Sequence, residues 1–163
     1  MKMNKSTLLE WLTHPFSLPE RSNRWLFSVG TRSLEVLNSV ALIGWAWVFL
    51  TQSNAILALR PYSKFDNFPT LGASLIMFSV ASGLIACFFN NTSKAQFLSG
   101  YFLLLCAGIW GVVCANFIRS YPPLNTGVIV YFALMLISWW AGLYKIDNVK
   151  KNVRQLKRKA KSE

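Results

Sequence analysis

Residues 97–118 read FLSGYFLLLCAGIWGVVCANFI, part of a run of 24 residues between Lys94 and Arg119 that carries no charge. A helix crossing a bilayer needs about 20 mainly apolar residues to pass a hydrocarbon core about 30 Å thick. A buried helix of a soluble bundle would instead show one apolar stripe and a charged outer face. Here apolar or neutral side chains go all the way round, so the stretch reads as a membrane span.

The pattern repeats on either side. Uncharged runs of 24, 27 and 25 residues lie between Glu35 and Arg60, between Asp66 and Lys94, and between Arg119 and Lys145. They predict spans near 36–57, 69–89, 97–118 and 125–144. Of the 163 residues, 53% are hydrophobic and only 14% charged, against about one-quarter charged in a soluble domain. The expected fold class is an all-α integral membrane protein with four transmembrane helices. The loops are short, Arg60–Pro69, Asn90–Lys94 and Arg119–Pro123, so sequential helices should be neighbours in an antiparallel bundle.

Lysine and arginine set the expected orientation. Lys2, Lys5, Arg21, Arg24 and Arg32 precede the first span, and eight basic residues follow the last, from Lys145 to Lys161. With both termini and the second loop (Lys94) in the cytoplasm, 14 basic residues lie inside and three outside (Arg60, Lys64 and Arg119). That asymmetry is the positive-inside pattern. It also accounts for most of the net charge of +11, and specific nucleic-acid binding is not expected. No apolar h-region with a small-residue cleavage site follows Lys2 and Lys5, so the first span should act as its own uncleaved signal. The expected location is the bacterial cytoplasmic (inner) membrane, multi-pass.

Three regions follow: a cytoplasmic amphipathic segment (1–33), a transmembrane domain (34–144) and a basic cytoplasmic tail (145–163). In the first, Thr7-x-x-Glu10 and Ser17-x-x-Glu20 read as capping boxes. Arg21 and Arg24 beside Trp25, Leu26 and Phe27 suit either a headgroup-level helix or one packed on the end of the bundle. In the tail, Ile146, Val149, Val153, Leu156 and Ala160 recur at spacings of 3 and 4, a heptad seam. Around them lie Lys150, Lys151, Arg154, Lys157 and Arg158. Contact with anionic headgroups, pairing between copies, and a solvated extension of the fourth span all fit this pattern.

Small residues recur at helical spacing within the spans. Ala107, Gly111 and Ala115 form a groove on the third, Ser79 and Gly83 a pair on the second, and Ser138 and Gly142 a pair on the fourth. Lipid tails compete for apolar surface as well as another helix does, so spanning helices associate where small residues let backbones approach. The third span is the expected centre of packing, and its groove the candidate contact for a partner. Mid-span Trp45, Trp47 and Trp110 are expected to pack against helices or lipid.

Motifs for chemistry are missing. Cys87, Cys106 and Cys114 all fall within spans, form no C-x-x-C, and read as small apolar core residues. His14 is the lone histidine, which builds neither a metal site nor a triad. The acids Glu10, Glu20, Glu35, Asp66, Asp147 and Glu163 fall outside the predicted spans, whereas ion-coupled carriers need an intramembrane ionisable group. Asn38, Ser39, Gln52, Asn54 and Asn116 are the polar residues near or within spans. Asn54 and Asn116 could meet across helices. Neither enzyme activity, cofactor nor metal is expected. The leading functional expectation is an accessory membrane protein that contacts another membrane complex, for example in a blocking or superinfection-exclusion role. The alternatives are an oligomeric, holin-like pore and, more weakly, a small-solute transporter or channel. Expected partners are the anionic bilayer and a second membrane protein or further copies of the chain.

Overall fold

The computed structural model describes residues 31–51, 69–90, 92–119 and 126–162. They form four helices: α1 (Thr31–Thr51), α2 (Thr70–Phe89), α3 (Ser93–Arg119) and α4 (Thr126–Ser162). Each contains a segment long and apolar enough to cross a membrane. The chain is a multi-pass membrane protein. The capping boxes, Arg21, Arg24, Gln52, Asn54 and residues 60–68 and 120–123 of the first and third loops lie outside the described residues, as do the side chains of Leu156, Lys157 and Ala160.

Local sequence explains where these helices start and stop. Pro69 stands immediately before α2, where a missing N–H costs nothing, and the backbone N–H of Asn90 closes its far end on the Ala86 carbonyl at 3.2 Å. Thr92 caps α3: its Oγ1 accepts the N–H of Ala95 at 3.2 Å, which satisfies one of the free donors of the first turn. Hydroxyls inside the helices turn back on their own backbones. Ser39 donates to the Glu35 carbonyl, Ser74 to Thr70 and Ser79 to Leu75, each at 2.7 Å. Without water, a spanning segment must satisfy its polar groups internally.

The helices pack in pairs. α1 lies mainly against α2, and α3 mainly against α4, while α2 also meets α3. The backbones of α3 and α4 come closest where two glycines face each other. A Cβ on Gly142 would lie 2.8 Å from the Gly100 carbonyl oxygen, and one on Gly100 would lie 2.7 Å from Ile146 Cγ1. Gly83 of α2 is capped by the ring of Phe102 on α3. Large aromatic side chains fill the space between α1, α3 and α4. Trp110 is fully buried there and stacks on Tyr131 at 5.6 Å. Tyr131 also stacks on Phe117 at 5.3 Å and meets Trp45 of α1 edge-on at 5.4 Å.

The fourth helix differs from its predicted span. It continues unbroken past residue 144 to Ser162, for 37 residues. The heptad seam begins as packing rather than as a free surface: Ile146 and Val149 are buried, and Val153 is exposed.

Candidate functional site

The interior between the two helix pairs is polar at one end. On α1, the buried face runs Glu35, Asn38, Ser39, Leu42, Ala46, Phe49, a spacing of three and four that puts all six on one side. Its first members are polar: Ser39 turns back on the Glu35 carbonyl of its own helix, and Glu35 and Asn38 find partners on other helices.

Glu35 is 2% exposed. Its Oε1 accepts hydrogen bonds from the Lys145 ammonium of α4 and from the Ser99 hydroxyl of α3. Lys145 also donates to Ser99 Oγ at 3.0 Å. Three helices therefore meet in one charge-neutral cluster. Burying either charge alone would be prohibitive, and removal of one partner would strand the other. One turn further along α1, Asn38 repeats the arrangement without charge. Its Oδ1 accepts from Trp110 Nε1 of α3 at 2.7 Å and from Ser138 Oγ of α4 at 3.1 Å. Its amide donates back to the Leu34 carbonyl at 2.9 Å, which leaves the oxygen free to serve both neighbours.

This constellation departs from the sequence reading. There Glu35 and Lys145 bound the uncharged runs and fall outside the predicted spans. In the structure they are drawn inside the bundle and neutralise each other. The signal was the i, i+3, i+4 grouping of Glu35, Asn38 and Ser39 at the start of a span, together with Ser99 and Ser138 at buried positions. Partners on helices about 60 to 110 residues away cannot be read from spacing.

The small-residue positions divide. Ala107 is buried, and Gly111 faces α4, where a Cβ would sit 3.2 Å from Met135 Sδ. Gly83 faces Phe102. Ala115 and Ser79 lie on exposed surface. The groove on α3 is thus partly filled by the molecule's own fourth helix. Trp47 is exposed, whereas Trp45 and Trp110 join the internal aromatic cluster. Cys106 and Cys114 are buried and Cys87 half-buried, all as free thiols. Asn116 bonds within its own helix, to the Val112 carbonyl at 2.9 Å. Lys150, Lys151, Arg154 and Arg158 are exposed along α4.

Chemically, the cluster offers a paired carboxylate and ammonium bridged by a hydroxyl. Among the described residues, no three His, Cys, Asp or Glu side chains come together to hold a metal. No family model matches the chain, and no curated protein or solved structure matches it.

Proposed function

We propose that the chain is a non-catalytic protein of the bacterial cytoplasmic membrane, with both termini in the cytoplasm, that acts by contact with another membrane complex in an accessory, blocking or entry-exclusion role. The observation that carries this reading is the unbroken course of α4 from Thr126 to Ser162. At 1.5 Å per residue its 37 residues extend about 55 Å, whereas the hydrocarbon core is about 30 Å thick. The remainder is a stiff basic arm that presents Lys150, Lys151, Arg154 and Arg158 outside the bundle. A rigid charged arm suits docking, and electrostatic complementarity would select and steer its partner.

The interior supports the same reading. Its buried carboxylate and ammonium satisfy each other through Glu35, Ser99 and Lys145, and its carboxamide is satisfied by Leu34, Trp110 and Ser138, as structural ties are. The order of contacts also supports an antiparallel bundle. Along α1, residues 35, 38 and 45 meet residues 99, 110 and 117 of α3 and residues 145, 138 and 131 of α4. The numbers rise together in α1 and α3 and fall in α4.

Induction in bacteria, with a potential-sensitive dye and photocrosslinking probes at Ala115 and Arg158, tests the proposal. The expected result is a stable membrane potential and a discrete crosslinked partner. Rapid depolarisation on induction would replace this reading with an oligomeric pore, and saturable solute flux would replace it with a transporter.

A further inference from the structure

A groove opens where the first turns of α3 lie beside the extension of α4. Its volume is about 380 Å³, and its walls are Ser93, Lys94 and Phe97 on one side and Val149, Lys150, Val153 and Arg154 on the other. Its lining is almost wholly apolar, and three of the residues that border it, from two helices, are cationic. Among the described residues, the two acids are already engaged. Glu35 pairs with Lys145 inside the bundle, and Asp147 pairs with Lys151 at 2.8 Å. No described carboxylate therefore neutralises Lys94, Lys150 or Arg154.

We infer that this groove binds the headgroup of one anionic phospholipid, its phosphate held by Lys94, Lys150 and Arg154 and its glycerol and upper acyl carbons lying on Phe97, Val149 and Val153. Charge complementarity is the first argument: Lys94, Lys150 and Arg154, from two helices, border one cleft. The second is the apolar track that leaves the groove along α3. Phe97 contacts Tyr101 ring to ring at 5.1 Å, and Tyr101 and Leu105 continue the same helix face, each about half exposed. An acyl chain anchored at the rim would run along that face into the hydrocarbon. An acidic protein segment would match the rim but would leave the floor and track uncovered. The third is position, since the groove sits where charged residues resume at the ends of two spans, the depth of the headgroups. Clustered lysine and arginine at that depth attract anionic lipid. The inference rests on the membrane reading of the chain and not on the proposed docking role.

The test uses the full chain, purified in a neutral detergent and melted with added phosphatidylglycerol or phosphatidylcholine, with retained lipid counted by native mass spectrometry. Phosphatidylglycerol in excess of its Kd should raise Tm by a few degrees and remain bound as one molecule per chain. Phosphatidylcholine should do neither. Lys150→Gln with Arg154→Gln should abolish both effects, and so should Lys94→Gln alone, because the site needs both helices. Lys151→Gln with Arg158→Gln removes the same charge from the arm outside the groove and should leave both effects intact. Replacing the three cations conservatively (Lys94→Arg, Lys150→Arg, Arg154→Lys) should retain binding, which separates loss of the site from loss of the fold. Equal loss in both double variants, no dependence on headgroup, or an equal Tm rise with water-soluble glycerol phosphate would each overturn the lipid site.

Discussion

Asn38 has three hydrogen-bonding tasks and performs all of them. Its amide N–H donates a hydrogen bond to the Leu34 carbonyl of its own helix, and its oxygen accepts from Trp110 and Ser138. Substitutions at these positions should therefore rank by how many partners they strand. Ser138→Ala removes one of the two donors to Asn38 and should cost about 0.6 kcal/mol, the average for interhelical hydrogen bonds in membranes. Asn38→Ala leaves both the indole N–H and the serine hydroxyl unsatisfied and should cost about 1–3 kcal/mol. Equilibrium unfolding in mixed micelles would give the order directly. A larger effect for Ser138→Ala would contradict the assigned acceptor.

At the scale of the element, the glycines separate into fitted and free positions. Gly142→Ala places a methyl 2.8 Å from the Gly100 carbonyl oxygen, too close for two backbones to tolerate without separating. It should destabilise the α3–α4 pair by about 1–3 kcal/mol, the usual range for overpacking. Gly111→Ala meets only the flexible end of Met135 and should be close to neutral. Gly108→Ala points into open space and should gain up to about 1 kcal/mol from helix propensity. Thermal melts of the three variants check the ranking. The α4 extension has its own test. Asn152→Pro should break the arm, because a proline ring clashes with the carbonyl four residues back. Circular dichroism should then show a loss of helix while the bundle melts at an unchanged temperature.

These elements also show what was readable in advance. The four helices were legible because absence of charge over 24 or more residues has few causes. Small residues at spacing four were legible as packing positions. Which helix would fill each position was not: Gly111 and Ala115 look equivalent in sequence, yet one faces Met135 and the other lies on exposed surface. Glu35 and Lys145 misled for a physical reason. A charge at the end of a hydrophobic run marks either a boundary or a buried pair, and only the fold brings together residues 110 positions apart. The end of α4 was ambiguous because a heptad seam flanked by lysine and arginine fits a lipid-lying helix, a self-pairing helix and an extension of the span.

For the whole molecule, the two helix pairs meet through the packing of α2 on α3 and through a few side-chain ties from α1. Hydrophobic burial does little to hold helices together in lipid, so the Glu35–Ser99–Lys145 and Asn38–Trp110–Ser138 clusters unite α1 with α3 and α4 where backbones do not approach closely. The proposed orientation can be checked on the same scale. A Gln155→Cys variant should react with a membrane-impermeant maleimide only after the cytoplasmic face is opened. Labelling in intact cells would invert the topology. The joining role of the buried pair is tested most directly by a double-mutant cycle on bundle stability with Glu35→Gln and Lys145→Met. Breaking a buried pair from one side costs about 3–5 kcal/mol, and Lys145, at 13% side-chain exposure, belongs near the lower end. Each single variant should show that loss, and the double variant should recover much of it because no charge is left unpaired. Purely additive losses, or singles that melt like the parent, would mean that the two charges do not hold the bundle together.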